Sequence, residues 1–97
     1  MNILKLKINE IKDILLKNSI ENSLSIEELA KIYVILLELR QEFLELSFAC
    51  NKIEELEQIR FDLLEQIINV KVLIKEKRGL DYKEDIYKMK KLFDLNN

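Results

Sequence analysis

Arg40 and Arg60 are the residues of this chain best suited to hold a ligand. A guanidinium stays charged, presents a rigid fork of donors and meets carboxylate or phosphate with paired hydrogen bonds. Two of them in one place would grip a dianion or an acidic side chain. Most routes to catalysis are closed by composition. Histidine, the commonest general base and metal ligand, is absent. The one cysteine, Cys50, has no histidine to deprotonate it and reads as a small buried hydrophobe. Glu54, Glu55 and Glu57 cluster at a helix start, where the macrodipole already favours carboxylates. No glycine-rich loop exists to cradle phosphate, and no Glu-x-x-His pair to bridge metals. We therefore expect a non-enzymatic protein with no cofactor, no metal and no small-molecule substrate.

The elements that position these arginines are long helices. Residues 26–78 contain neither glycine nor proline, and their apolar residues recur at helical spacing. Three helix starts are marked by a capping residue followed three positions later by glutamate: Ser25 to Glu28, Asn51 to Glu54 and Asp81 to Glu84. Gly79 supplies a left-handed residue that ends a helix, and Lys75, Lys77 and Arg78 complement the negative end of its dipole. These signals predict helix 1 at about 3–17, a polar loop through Asn18–Leu24, helix 2 at 26–49, helix 3 at 52–78 and helix 4 at 82–94. Leu4, Leu6 and Ile8 alternate with lysines as an edge strand would, but Leu4, Ile8, Ile11 and Leu15 also fit a helix stripe, and no second strand exists to pair.

The apolar stripe of helix 2 runs Leu29, Ile32, Leu36, Leu39, Phe43, Leu46, Cys50 and Ile53 in steps of three and four. It jumps phase at Leu56 and resumes as Leu63, Ile67, Val70 and Ile74. That break beside Asn51 favours a hairpin; the alternative is one continuous rod paired with a second chain. The expected fold is all-α: a small antiparallel bundle built on a long helix 2/helix 3 hairpin, with shorter helices at both ends, forming one domain over residues 1–97. A turn at Asn51 leaves Arg40 eleven residues before it and Arg60 nine after, hence near one layer of the hairpin. Arg40 projects between the two apolar stripes of helix 2, and Arg60 inside the main stripe of helix 3.

Both long helices carry a second stripe. On helix 2 it is Ile26, Ala30, Tyr33, Leu37, Leu44 and Phe48, centred about 120° from the first at roughly 100° per residue. On helix 3 it is Phe61, Ile68 and Val72. Helices 1 and 4 are short, and apolar area they leave uncovered tends to be used for docking. The candidate partner interface is Arg40, Arg60, Tyr33, Leu37, Leu44, Phe48, Phe61, Ile68 and Val72.

Charge limits the partners. Residues 1–18 carry four basic against two acidic groups, 19–70 four against eleven, and 71–97 eight against five. An acidic middle argues against a nucleic-acid binder, which needs a net basic face. The longest apolar run, Ile32 to Leu37, falls far short of the roughly 20 residues of a membrane span, and the charged start resembles no secretory signal. A cytoplasmic location is expected. The abundance of Ile, Lys and Asn fits AT-rich codons, pointing to a low-GC bacterium, its phage or a plasmid.

Two local resemblances bear on function. The stretch from Ile59-Arg60-Phe61-Asp62 to Lys75-Glu76-Lys77-Arg78-Gly79-Leu80, about a quarter of the chain, is similar to the first helix and turn of the small all-α chorismate mutases. That family implies several arginines converging on a dianion; this chain has only Arg40, Arg60 and Arg78, so no role is carried over. Ile26-Glu27-Glu28-Leu29-Ala30-Lys31-Ile32-Tyr33 resembles the opening of a helix-turn-helix, but Val34 to Arg40 stays helical and lacks the turn glycine. The expected function is a helical protein–protein interaction module (adaptor, chaperone or complex subunit), docking to a protein partner or to a second copy. The alternatives are a phage- or plasmid-encoded inhibitor whose acidic middle masks a host enzyme or nucleic-acid channel, and a small all-α enzyme or anion binder using Arg40 and Arg60.

Overall fold

The computed structural model of the protein describes residues 2–49 and 53–96. Four helices follow in order: α1 (Asn2–Glu21), α2 (Ile26–Ser47), α3 (Ile53–Lys77) and α4 (Lys83–Asn96). No strand occurs among the described residues. Each helix runs antiparallel to the one before it. Late α1 turns back through Leu24, Tyr33 of α2 meets Lys71 of α3, and Phe61 of α3 meets Phe93 of α4. At about 1.5 Å per residue, the 25 residues of α3 nearly span the 42 Å long axis of the molecule.

α1 outlasts its predicted end because Asn18 belongs to the helix and not to the loop. Its carbonyl accepts from Asn22 N–H at 2.6 Å, with Asn22 at φ +48°, so an asparagine supplies the left-handed stop that a glycine usually makes. The buried Asn18 side chain then accepts from Leu24 N–H at 2.9 Å and draws the short connection closed.

α2 starts where the capping box predicts. Ser25 Oγ accepts from Glu28 N–H at 3.1 Å, and the Glu28 carboxylate accepts from Ser25 N–H at 3.2 Å. Replacing Ser25 with Ala is expected to cost about 1 kcal/mol in urea unfolding, since it strands one donor of the first turn. A loss under a few tenths would show that solvent serves this exposed cap equally well.

The helix ends at Ser47, two residues before its predicted end. Ala49 N–H bonds back to Leu46 O at 3.1 Å in a turn at Phe48–Ala49, and α2 and α3 pack against each other along their length, so the hairpin holds and the continuous rod does not. Cys50 and the Asn51 cap fall outside the described residues. The stop at Gly79 is a full Schellman closure, with φ +68°, Leu80 N–H to Lys75 O at 2.8 Å and Gly79 N–H to Glu76 O at 3.1 Å. At α4 an Asx turn stands where the capping box was expected: the Asp81 carboxylate accepts from Lys83 N–H at 3.0 Å.

The core belongs to three helices. Leu4, Ile8, Ile11 and Leu15 of α1 meet Leu29, Ile32, Leu36, Leu39 and Phe43 of α2 and Ile59, Leu63, Ile67 and Val70 of α3. Lys5–Glu55 at 3.3 Å and Lys7–Glu42 at 3.8 Å tie the start of α1 across both long helices. Two expectations for α3 need correcting. Ile53, placed on its main face, is 71% exposed, while Ile59 and Gln66 are buried instead. The reason is α1: it packs beside α2 against α3, so the buried face must widen toward both neighbours. Arg60, expected inside that stripe, is turned out to solvent.

α4 touches α3 alone among the helices. Of its expected face, Tyr82 and Met89 are half-buried, and Ile86 and Phe93 keep 38% and 41% of their surface exposed. Its most buried described side chain is Asp85, only 3% exposed.

A basic groove between α2 and α4

α3 is covered on one side by α2 and on another by α4, and those two do not meet. The gap between them is a trough floored by α3, on the side of the hairpin away from α1. Two hollows mark it. One, of about 120 Å³, is lined by Arg40, Phe43 and Leu44 of α2 and by Arg60, Leu63 and Leu64 of α3. The other, of about 320 Å³, brings together Tyr33, Ile74, Leu80 and the charged residues Lys71, Lys75, Arg78, Glu84, Asp85 and Lys88. The antiparallel register that sets Tyr33 beside Lys71 also sets Arg40 beside Arg60, as counting from the turn predicts.

The other interface candidates divide by which helix covers them. Phe61 stacks edge-to-face on Phe93, with ring centres 5.3 Å apart and planes at 80°, so α4 uses it internally. Ile68 and Val72 are half-buried on the same flank of α3. The second stripe of α2 gets no such helix. Tyr33 and Leu37 are half-buried, while Ile26 is 41%, Leu44 46% and Phe48 91% exposed. Exposed apolar residues on α1 (Ile3, Leu6, Ile14, Leu16 and Ile20) are scattered around its circumference among charges and form no single stripe.

The electrostatics of the trough were not foreseen. The acidic middle suggested by sequence separates in space: Glu27, Glu38, Glu42 and Glu45 face solvent on the far side of α2. The trough collects Arg40, Arg60, Lys71, Arg78 and Lys88, and none of the five takes part in an ion pair among the described residues. Lys71 lies 5.9 Å from the centre of the Tyr33 ring, a contact that leaves its charge available. Lys75 is committed elsewhere. Its ammonium sits 2.5 Å from the buried Asp85 carboxylate, which raises its pKa above the ordinary lysine value against the opposing effect of burial. Lys71, Arg78 and Lys88 were not among the expected interface residues because Lys71 of α3, Arg78 in the turn after it and Lys88 of α4 become neighbours only once folded. The one available signal was the basic excess after residue 70.

The described residues hold no cluster of three or more metal-binding side chains, and no helix is long and apolar enough to cross a membrane. Comparisons with protein-family models, curated proteins and solved structures find no match for this chain.

Proposed function

We propose that this protein is a non-enzymatic helical interaction module that docks another protein along the bare face of its α2/α3 hairpin. The observation that carries this is the uncovered second stripe of α2. A helix that presents Ile26, Tyr33, Leu37, Leu44 and Phe48 on one side keeps apolar area in water that its own bundle could have buried. An amphipathic helix laid along that stripe would bury anchors at helical spacing, the usual helix-in-groove mode. The arginines at its edge suit such an interface, where arginine is a preferred anchor.

A photo-crosslinking residue at Leu44, compared with one at the exposed Leu16 of α1, tests this in cells that make the protein natively. A discrete adduct from position 44, lost on changing Leu37 and Phe48 to Glu and absent from position 16, is the expected result. Equal labelling from both positions, or none from either, would remove the docking function.

A further inference from the structure

We infer that the trough between α2 and α4 is the seat of an acidic amphipathic helix from a partner protein. It rests on the docking function proposed above and names the chemistry of the partner. Shape comes first. α2 and α4 both pack on α3 without backbone contact between them, which leaves a slot with α3 as its floor. From Arg60 to Lys77 that floor covers 18 residues of α3, which at 1.5 Å per residue is about 27 Å, room for roughly five helical turns. The lining is apolar at Tyr33 and Leu44 of α2, at Leu64 and Ile74 of α3, and at Leu80 in the turn after it. The hollow at Arg40 and Arg60, about 120 Å³, is well below the roughly 300 Å³ and more of a small-molecule site. It is the size of one inserted side chain.

Charge then selects among occupants. Arg40, Arg60, Lys71, Arg78 and Lys88 line the trough against Glu84 and the already paired Asp85. A helix with an apolar seam and carboxylates on its flanks would satisfy both the walls and the cations. A basic helix would meet repulsion along the whole length. A nucleic acid would use the cations but leave the aliphatic walls unmatched. A second copy would have to offer an acidic helix, and the exposed glutamates of α2 lie away from its own apolar stripe.

The test uses the full-length ¹⁵N-labelled protein and three probes: an 18-residue designed helix with a Leu seam and Glu flanks, the same helix with Lys flanks, and an 18-nucleotide single-stranded DNA. The Glu-flanked helix is expected to shift amides of Tyr33, Leu64, Lys71 and Arg78, and to bind about tenfold tighter than its Lys-flanked twin at low salt, the gap closing as ionic strength rises. The triple change Arg60→Glu, Lys71→Glu and Arg78→Glu, all at solvent-reaching positions, should reverse that preference while circular dichroism stays unaltered. Equal binding of the two helices, shifts confined to α1, or tighter binding of the DNA would each overturn the inference. So would groove shifts that appear on concentrating the protein alone, which would assign the slot to a second copy. Loss of peptide binding with the Leu44 adduct intact would sink only the acidic-helix inference. Loss of the Leu44 adduct with peptide binding intact would instead sink the docking function.

Discussion

Leu36→Ala is expected to remove about 3 kcal/mol of stability, within the 2–5 kcal/mol range of leucine truncations in packed cores. Leu36 is 0% exposed and sits mid-helix on the stripe of α2 that meets both α1 and α3. The antiparallel register that sets Tyr33 beside Lys71 and Phe43 near Leu63 puts it level with residues 68–70 of α3, where Val70 is itself fully buried. Helices held on three sides cannot collapse onto the missing methyls, so the lost transfer energy is joined by a cavity. A domain this size has roughly 5–15 kcal/mol to lose, so the variant should unfold at markedly lower urea concentration with an unchanged m-value. Leu44→Ala, on the bare stripe, is the control and should stay within about 0.5 kcal/mol. Comparable losses from the two would mean that the second stripe is also core, and the docking surface would vanish with that result.

Lys75→Met is expected to undock α4 while α1, α2 and α3 remain folded. No α4 side chain among the described residues belongs to the shared core, and the helix's inward position is occupied by the Asp85 carboxylate, which among the described residues pairs with the Lys75 ammonium. Methionine keeps the stem of Lys75 and removes the charge, which leaves a carboxylate facing an apolar interface without a partner. Once released, 14 residues are too few to hold a helix in water. The far-UV signal should therefore fall by the share of α4, and its amides should exchange freely. Asp85→Leu added to Lys75→Met should restore docking, because an apolar pair needs no desolvated charge. Full helicity with α4 still protected in the single variant would show that Phe61 and Phe93 suffice as the clamp.

The same pair sets an alkaline limit. Asp85 raises the Lys75 pKa, so the pairing is fully in place below the unfolded lysine value, near 10.4, and is lost as pH climbs through the higher folded value. α4 should thus detach above the ordinary lysine range, before the three-helix core unfolds. Lys75→Arg should move that limit upward, since a guanidinium keeps its proton past pH 12 or so.

Much of this architecture was legible in the residues because its signals are local. The Ser25–Glu28 box, the Gly79 stop and the phase jump ahead of Leu56 each act within a turn or two of chain, and each falls at or beside a helix boundary. Even the meeting of Arg40 and Arg60 follows from counting residues on either side of a turn. Asn22 was harder to read: asparagine takes the left-handed conformation less often than glycine, so a helix predicted to stop at 17 runs on to Glu21.

Periodicity determines that a helix has an apolar side, and in α2 that it has two. It does not say which neighbour covers which side, because that depends on where short helices come to rest. Packing of α1 beside α2 decided that Ile59 and Gln66 are buried while Ile53 is not. Packing of α4 on α3 alone decided that Phe61 is consumed internally while Leu44 and Phe48 stay bare. Charge behaves likewise. Along the chain the middle is acidic, yet in space five cations from three helices and the turn after α3 share one trough, since a helix sends residues a few positions apart to opposite sides and folding then joins faces distant in sequence. The sequence by itself determined the helices, their ends and their order; which faces they leave open, and the sign of the charge there, was decided by tertiary packing.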